Sequence, residues 1–389
     1  MMQDNKYQEE INNFIKNFSP YKEKNIVIYG IGRFTATIID ANIGFNIVGL
    51  MDKDPDNVGK IMFGLPIIDK EEAKQKADLI IINTSGTYWN LIYRRIADLN
   101  IPTFYQNGER AHLSELQAAD NDYWDESLQN LEKQISQADV ISFDFFDTLY
   151  TRSVCNPADV FSIIERKLCM EFGLIPYKKL RTEAKKNLDA DYSFDELYNE
   201  ISKISGLQEN VISRAKIIEL NTEKRLLVPR SEMINLIKKL IENTKKKIYI
   251  ISDMYLPGSF FIDALKDKGI IIDEDHILIS NELKKSKRDG SIWNFLKGKI
   301  NCKNKKILHI GDNKITDIEM PARYGIKTYY VASPMELLNL SSMQNFAGKI
   351  CTDYSSMIFG TVFSKFFNCP FSLNSYKGVL NINSDFDMG

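Results

Sequence analysis

Four separate segments of the sequence contain the side chains that could do chemistry. These residues are, in chain order, Asp144, Ser252, Lys287, Asp312 and Asp317. A carboxylate, a hydroxyl and an amine are the groups that nucleophilic catalysis and charge stabilisation use. Three carboxylates that lie close together are tolerated only when a cation lies among them, and hard carboxylate oxygens favour magnesium, which also takes phosphate oxygens. The residue types therefore predict metal-assisted chemistry on phosphate groups.

The elements that must position these residues are short apolar runs that alternate with helical patterns. The runs cover residues 140–143, 247–251, 276–279, 307–310 and 328–331. Strands that alternate with helices form a parallel sheet covered on both faces, and the carboxyl ends of its strands converge on one crevice. We therefore expect the chemistry-bearing residues to meet at one edge of a sheet.

An insertion with helical patterns, residues 152–228, separates the first two of these strands. Pro157 stands where a helix begins, Ser193 and Glu196 have the spacing of a capping box, and Pro229 ends a helical pattern. These signals predict an all-helical subdomain inserted after the first strand.

The four segments resemble the motifs of the haloacid dehalogenase-like (HAD) superfamily, in the same order and on the same elements. The motifs most closely resemble those of a bacterial subgroup of HAD hydrolases associated with surface-polysaccharide biosynthesis. They are FDxFDTL around Asp144, ISDMYLP around Ser252 and GDNxxxD around Asp312. The resemblance covers residues 138–332, about half of the chain. It implies an α/β fold in which a HAD domain carries an inserted helical cap.

The resemblance also implies a role for each residue. Asp144 is then the nucleophile that forms an aspartyl-phosphate, Ser252 hydrogen-bonds a phosphoryl oxygen, and Lys287 neutralises developing charge. The implied magnesium ligands are Asp144, Asp312, Asp317 and the backbone carbonyl of Phe146.

The helical insertion lies where the superfamily has a cap that shields a small substrate from water. Arg152, Arg181 and Arg230 lie in this insertion or next to it. They are candidate anion contacts, but we interpret each of them as a surface salt-bridge partner.

Phe146 departs from the pattern of the superfamily's phosphatases, which carry a second aspartate at this position. That aspartate protonates the leaving group and activates water, so its role is unfilled unless the adjacent Asp147 turns inward. Three alternatives follow: a phosphatase or phosphotransferase that tolerates the change, a non-phosphoryl relative such as a dehalogenase, and a binding module with poor turnover. The metal-ligating pair Asp312 and Asp317 argues against a dehalogenase, which needs no metal.

The first 108 residues have their own alternation of apolar runs and helical patterns, and resemble small nucleotide- or sugar-nucleotide-binding Rossmann modules. Gly30 and Gly32 open a helix after a strand, and Asp52 ends the next strand, the arrangement that holds a pyrophosphate and a ribose. Thr35 replaces the third glycine of that motif. Ligand binding and a structural or dimerising role both remain open for this domain. Residues 109–137 are predicted to form a connecting helix, and residues 333–389 a C-terminal extension.

Composition excludes several classes of protein. The net charge is −2, from 50 basic and 52 acidic side chains, which argues against binding to nucleic acid. The five cysteines contain no CxxC pair and the three histidines suggest no triad, which argues against a disulfide framework, a zinc site and a serine or cysteine hydrolase. No apolar run is long enough to span a membrane, and the first residues do not resemble a signal peptide. We expect a cytoplasmic protein.

The sequence thus predicts a magnesium-dependent HAD-type phosphohydrolase or phosphotransferase. Its substrate would be a sugar phosphate, a polyol phosphate or a nucleotide-sugar intermediate of surface-polysaccharide synthesis. The alternative is a catalytically weak HAD-like binding or regulatory module that partners a glycan-synthesis enzyme. A homo-oligomer and a partner from glycan biosynthesis are both compatible with the sequence.

Overall fold

The computed structural model describes residues 2–84, 89–111, 121–189, 191–300, 305–344, 346, 350 and 352–379. The chain forms two compact units, Met1–Gln117 with Met343–Ser355, and Ala118–Ser342 with Ser356–Gly389. Among the described helices, none combines the length and the apolar character that crossing a membrane requires.

The first unit is built on a parallel sheet with the strand order β2-β1-β5-β6, and β3 and β4 form a small antiparallel hairpin. Its strands are β1 (Ile26–Tyr29), β2 (Ile47–Met51), β3 (Ile61–Met62), β4 (Leu65–Pro66), β5 (Leu79–Ile82) and β6 (Thr103–Tyr105). Its helices are α1 (Met2–Phe18), α2 (Arg33–Asp40), α3 (Lys70–Lys76) and α4 (Trp89–Ile96).

Helices cover both faces of this sheet because successive strand residues point to opposite sides. One core cluster joins alternate strand residues to α3 and α4, and includes Val27, Tyr29, Ile80, Ile82, Ala73, Ile92 and Ile96. The other joins the remaining strand residues to α1 and α2, and includes Ile26, Ile28, Leu79, Ile81, Phe14, Phe18 and Ile38. The predicted sheet with two covered faces is confirmed here.

The second unit has a parallel sheet with the order β11-β10-β7-β12-β13. Its strands are β7 (Val140–Phe143), β8 (Tyr150–Arg152), β9 (Leu227–Pro229), β10 (Lys247–Ser252), β11 (Ile277–Ile279), β12 (Ile307–Gly311) and β13 (Lys327–Tyr330). Its helices are α5 (Leu128–Ser136), α6 (Val160–Phe172), α7 (Tyr177–Lys186), α8 (Phe194–Ser205), α9 (Glu209–Leu226), α10 (Ser231–Asn243), α11 (Gly258–Lys266), α12 (Ser280–Leu283), α13 (Ser291–Lys299), α14 (Met320–Arg323), α15 (Pro334–Leu340) and α16 (Asp353–Phe366). The part of α16 from Ser356 onward belongs to this unit. The predicted α/β class is confirmed.

The register of this sheet brings the ends of its central strands to the same level. Phe143 of β7 lies opposite Ile250 of β10 and Ile310 of β12. Because all three strands run in parallel, the residues that follow them emerge at one edge, which is where an open α/β sheet binds its ligand.

The insertion between β7 and β10 contains helices α6, α7, α8 and α9. The predicted capping box of Ser193 and Glu196 starts α8, with both reciprocal hydrogen bonds present. The prediction that residues 152–228 are entirely helical is wrong at both ends, because β8 and β9 form an antiparallel ribbon there. α9 ends at Leu226, since Pro229 has no N–H and a fixed φ, and disfavours helix in the residue before it.

The connecting helix predicted over residues 109–137 is shorter in the structure. Its described part is helical over Leu128–Ser136, after a 3₁₀ turn at Asp122–Asp125, while residues 112–120 lie outside the described residues. The side chains of Asn121 and Ser127 accept local backbone N–H groups and begin these two separate elements. Cys302 and Cys351 also lie outside the described residues.

The C-terminal segment contacts both chain segments that connect the helical insertion to the sheet. Ser356 Oγ accepts the backbone N–H groups of Cys155 and Asn156, at 3.0 and 3.1 Å. The side chain of Asn368 donates to the carbonyl of Pro229 and accepts the N–H of Ser231, at 2.7 and 2.8 Å. This packing agrees with the aromatic and apolar character of residues 355–371, and it fixes the base of the insertion from both sides.

Candidate active site

Asp144 and Lys287 form the centre of the site. Asp144 is the first residue after β7, its N–H donates to the carbonyl of Ile310, and only 5% of it is exposed. The Lys287 ammonium lies 2.6 Å from Asp144 Oδ1 and 2.6 Å from Asp317 Oδ1. A buried lysine is thus shared between two buried carboxylates, one directly after β7 and the other in the turn that follows β12.

Asp312 and Asp317 complete a group of three carboxylates with Asp144, whose ligand atoms all lie within 4.8 Å of one another. A π-helical turn at Lys314–Glu319 points Asp317 inward, and the side chain of Asn313 caps this turn. Gly311 is required because a Cβ atom there would lie 2.4 Å from Cβ of Asp317. Single π-helical turns such as Lys314–Glu319 are frequent at functional sites.

The charges of this cluster are unbalanced. Burial raises the pKa of Asp144 to about 7; the positive charge of Lys287 opposes this shift and the negative charge of Asp317 adds to it. Burial, and then the charges of Asp147 and Asp144, raise the pKa of Asp312 well above its usual range. Although burial opposes ionisation of Asp317, Lys287 and His309 hold its pKa below the usual value. An arrangement of hard oxygen ligands with excess negative charge fits a divalent cation.

Ser252 and Asp253 lie at the end of β10, next to this cluster in the sheet. Ser252 is 3% exposed. Asp253 accepts the backbone N–H of Lys287, at 2.8 and 3.0 Å to its two oxygens, and that of Arg288 at 3.3 Å. The loop that carries Lys287 is therefore tied to the end of β10. The structure thus brings Asp144, Lys287, Asp312 and Asp317 together and places Ser252 at the same edge.

His309 and Ser142 are a part of the site that sequence analysis missed. They face each other in the register of β12 and β7, and His309 Nδ1 lies 2.9 Å from Ser142 Oγ. His309 Nε2 lies 3.2 Å from Asp317 Oδ1, and burial lowers the pKa of the histidine. A neutral imidazole that accepts from Ser142 and donates to Asp317 satisfies both contacts. The sequence does contain a signal for this contact: Ser142 and His309 are polar residues inside two apolar strands, and a buried polar group needs a hydrogen-bond partner.

The sequence of this unit matches a known family. Residues 141–331 match the family model described as haloacid dehalogenase-like hydrolase. Residues 141–331 are a haloacid dehalogenase-like hydrolase domain. A search of curated proteins found no match to the sequence.

Solved structures similar to the chain include three members of this superfamily. A 2-haloacid dehalogenase from Pseudomonas syringae has 14% identity and a TM-score of 0.39, and the match covers 50% of this chain and 86% of that one. A HAD hydrolase from Bacillus subtilis bound to magnesium has 17% identity and a TM-score of 0.35, with 50% and 88% covered. A predicted phosphoglycolate phosphatase from Haemophilus somnus has 16% identity and a TM-score of 0.31, with 49% and 84% covered.

Phe146 lies in the turn of the HAD domain that follows Asp144. Its ring is half-buried, packs edge-on against Phe145 and Phe261, and lies 3.8 Å from the guanidinium carbon of Arg152. Arg152 is held in place by Glu223, with a distance of 2.7 Å between Nε and Oε2. The position that carries an acid in the superfamily's phosphatases therefore carries an aromatic ring beneath a fixed cation.

Asp147 has the left-handed backbone conformation, with φ of 58°. Its Oδ1 accepts the hydroxyl of Thr151 at 2.6 Å, and its backbone carbonyl accepts from Arg230. Its charge is close enough to Asp312 to raise the pKa of that residue. Asp147 is therefore a neighbour of the carboxylate cluster, although one of its oxygens is already hydrogen-bonded.

The interpretation of Arg152, Arg181 and Arg230 as surface salt-bridge partners is wrong, because all three are buried. Arg152 and Arg181 pair with the buried carboxylates of Glu223 and Glu219. Arg230 instead donates to the backbone carbonyls of Asp147 and Asn368. Sequence could not show this, since the acidic partners lie 38 and 71 residues away.

In the first unit, the glycine turn follows β1, and Asp52 follows the adjacent strand β2. Gly30 has φ of 114°, and a Cβ atom there would lie 2.6 Å from Thr84. Gly32 starts α2, and a Cβ atom there would meet no atom within 4 Å. Asp52 accepts the N–H of Asp54 at 2.8 Å within its own turn. Gly30 therefore serves chain packing, and only Gly32 leaves open space at the turn.

A cavity of about 350 Å³ lies in the same unit, beside α1 and α2. Its lining includes the amide side chains Asn13, Asn17, Asn83, Gln106 and Asn107. Gly30, Gly32 and Asp52 are not part of this lining. The predicted binding residues are therefore not part of the cavity wall, although Gly30 lies against Asn83, which is.

Proposed function

We propose that the HAD domain is a magnesium-dependent phosphohydrolase or phosphotransferase that acts through an aspartyl-phosphate. The observation that supports this proposal is the Lys287 ammonium at 2.6 Å from both Asp144 and Asp317, with Asp312 in the same cluster. This arrangement combines a nucleophilic carboxylate, a fixed positive charge and a set of hard oxygen ligands at the carboxyl edge of a parallel sheet.

Asp144 attacks the phosphorus of the substrate in line with the leaving oxygen. The bond from phosphorus to the leaving group breaks, and the phosphoryl group is then held on the Asp144 carboxylate. Ser252 donates its hydroxyl to a phosphoryl oxygen, and Lys287 stabilises the negative charge that develops. Water, or an acceptor hydroxyl in a transferase, attacks the same phosphorus and restores the Asp144 carboxylate.

The side chains of Asp144, Asp312 and Asp317 and the backbone carbonyl of Phe146 would hold magnesium. The ion would supply positive charge that stabilises the phosphoryl oxygens. Asn313 and His309 keep Asp317 in position through hydrogen bonds of 3.1 and 3.2 Å.

The substrate is a small phosphorylated metabolite, and the helical insertion acts as a cap over it. The resemblance of the motifs to the polysaccharide-associated subgroup supports a sugar phosphate, a polyol phosphate or a nucleotide-sugar intermediate of surface-polysaccharide synthesis as the substrate. The second candidate is a binding or regulatory module of low turnover. The aromatic ring of Phe146, in the place of an acid-base group, favours this alternative.

Incubation of the full-length protein with magnesium and a panel of phosphate esters and pyrophosphates tests the proposal. We expect inorganic phosphate to be released from part of the panel, and chelation of the metal to stop the release. Tight binding by calorimetry without turnover on any compound would instead support the binding module.

Magnesium binding should depend on pH in the acidic range. Because the pKa of Asp144 is raised to about 7 and that of Asp312 is also raised, protons compete with the metal below neutrality. Loss of the Asp144 proton alone on binding predicts an affinity that falls about tenfold per pH unit below pH ~7, and a proton lost from Asp312 as well makes the fall steeper. Calorimetry at pH 6 and pH 8, in buffers of different ionisation enthalpy, measures both the affinity and the released protons. Equal affinities at the two pH values would contradict this prediction.

The first unit is proposed to bind an adenine nucleotide or a nucleotide sugar at its glycine turn. Gly32→Val should reduce the affinity for ADP or UDP-glucose at least about tenfold, because its side chain fills the space in front of the first N–H groups of α2. The protein should remain folded, since Gly32 has φ of −85° and a Cβ atom there meets no neighbour. Calorimetry and thermal unfolding of Gly32→Val and of the smaller Gly32→Ala provide the test. Unchanged binding in a folded Gly32→Val protein, or no binding in the wild type, would make this unit structural.

A further inference from the structure

A cavity of about 390 Å³ lies between the helical insertion and the loops that follow β10 and β11. It starts beside the proposed catalytic residues, because Asp253 follows Ser252, and Ser286 and Arg288 flank Lys287. The insertion supplies aromatic and charged residues to its other wall, among them Phe161, Arg181, Lys185, Asp191 and Tyr192. The cavity therefore adjoins the end of β10, which carries Ser252, and the loop that carries Lys287, on the side of the insertion.

Arg181 is the most constrained cation of the cavity. It is 3% exposed, its Nη2 donates to Glu219 at 3.0 Å, and its guanidinium lies over the rings of Phe161 and Tyr255, at 3.9 and 4.5 Å. Its buried Nε has no hydrogen-bond partner among the described residues. A buried N–H without a partner is costly, and a ligand oxygen would satisfy it.

Glu219 cannot supply that partner because its own oxygens are occupied. Its Oε2 accepts the hydroxyls of Tyr177 and Tyr198, at 2.5 and 2.7 Å. Its Oε1 accepts from Arg181 and from the hydroxyl of Tyr255, at 3.0 and 2.8 Å. This network fixes Arg181 in place and leaves its Nε without a hydrogen-bond partner among the described residues.

Lys185 and Arg288 add two more positive charges close to Arg181. Lys185 lies one turn further along α7, and burial together with the charges of Arg181 and Arg288 lowers its pKa. Neither Lys185 nor Arg288 forms an ion pair within the described part of the chain. Three cations therefore line the cavity, two from helix α7 of the insertion and one from the loop that carries Lys287.

Three acidic residues, Asp189, Asp191 and Asp253, also line the cavity, but none of these described residues forms an ion pair of 4 Å or less with its cations. Asp253 directs both oxygens to the backbone N–H groups of Lys287 and Arg288. Burial and the charges of Asp253 and Asp289 raise the pKa of Asp191, although Lys284 and Arg288 oppose this effect. The cations of the cavity thus have hydrogen-bond donors that the protein does not use.

We propose that this cavity binds a second anionic group of the substrate, a carboxylate or a phosphate carried by the leaving group. The proposal rests on the phosphohydrolase function and specifies its substrate class. Arginine and lysine donors recognise carboxylate and phosphate oxygens through charge-assisted hydrogen bonds. Phe161, Tyr192 and Tyr255 line the same space and pack against the carbon skeleton that carries the anion.

Paired substrates test this proposal in the full-length protein with magnesium. One pair, glycerol 3-phosphate and 3-phosphoglycerate, differs by a carboxylate, and another, fructose 6-phosphate and fructose 1,6-bisphosphate, differs by a phosphate. In at least one pair, kcat/KM should be at least about tenfold higher for the more anionic member. The pair that gives the preference identifies the anion.

The double variant Lys185→Gln/Arg288→Gln should bring that ratio close to one. Lys186→Gln, a substitution on the same turn of α7 at a residue outside the cavity lining, is the matched control and should keep the wild-type ratio. A double variant that retains the wild-type preference would overturn the proposal, as would equal kcat/KM values within both pairs in the wild type.

Binding to the Asp144→Asn protein separates this proposal from the proposed hydrolase function. Calorimetry with the same four compounds should show the same preference for the more anionic member, and the double variant should lose it. Selective binding without turnover in the wild type would leave the cavity assignment intact and remove the hydrolase function. If the wild type turns over these compounds but shows no preference in catalysis or in binding, the hydrolase function stands and the cavity assignment is wrong.

Discussion

Replacement of Asp144 by asparagine is expected to reduce magnesium-dependent phosphate release by about 10³-fold or more, the scale seen when a catalytic nucleophile is removed. Asp144 is the only carboxylate of the cluster that directly follows the central strand β7, and it lies 2.6 Å from the Lys287 ammonium. The asparagine amide keeps the size of the side chain but is a poor nucleophile. No aspartyl-phosphate can then form.

Three measurements distinguish this loss from a structural effect. Phosphate release is compared with Asp275→Asn, which changes an acid with 88% exposure in the same unit and should retain wild-type activity. Acid quenching followed by mass spectrometry should detect a phosphorylated peptide in the wild type and none in Asp144→Asn. Thermal unfolding should show a folded variant, because Lys287 keeps its contact with Asp317. Retention of more than a few per cent of the activity would disprove the covalent mechanism.

Sequence periodicity located the strands well because each is a compact apolar run. The predicted run at 140–143 is β7 itself, and the run at 307–310 is one residue shorter than β12. Parallel strands then place Asp144 and Asp312 at one edge without further information. The expected convergence of these residues follows from topology alone.

Partners that come from distant segments could not be predicted in this way. The sequence assigns no role to His309, because the spacing of the histidines suggests no catalytic triad, yet it contacts Ser142, 167 residues away. Arginine is a residue type that usually lies at the surface. The burial of Arg181 is explained only by its partner Glu219 and by the aromatic rings around it. A residue type indicates which interactions are possible, whereas the packing of the fold decides which are made.

The largest gain in activity is expected from Phe146→Asp, which installs the acid-base group found in the superfamily's phosphatases. The wild type should hydrolyse its aspartyl-phosphate slowly and release alkyl leaving groups slowly, so the phosphoenzyme should accumulate. A carboxylate at position 146 should increase turnover on alkyl phosphates by about 10²- to 10⁴-fold, the usual contribution of general acid-base catalysis.

The surroundings of Phe146 determine which step gains most. Arg152 lies 3.8 Å from the ring and is held by Glu223, so it remains beside the new carboxylate. A nearby guanidinium favours the ionised form, which is a better base for water than an acid for the leaving group. Hydrolysis of the phosphoenzyme should therefore accelerate more than its formation, and the trapped phosphoenzyme should disappear. Phe146→Asn removes the same ring contacts without adding a base, and it is the matched control.

Asp147 is the competing source of acid-base catalysis. Asp147→Asn tests it cleanly, because asparagine tolerates the left-handed backbone at this position and can accept the Thr151 hydroxyl as Asp147 does. We expect this variant to retain most of the wild-type turnover, since one Asp147 oxygen is already hydrogen-bonded to Thr151. The measurements are single-turnover phosphate release and phosphoenzyme trapping on wild type, Phe146→Asp, Phe146→Asn and Asp147→Asn. If the wild type cleaves alkyl phosphates at ordinary rates, traps no phosphoenzyme and loses that activity in Asp147→Asn alone, Asp147 is the acid-base group and Phe146 is not a catalytic deficit.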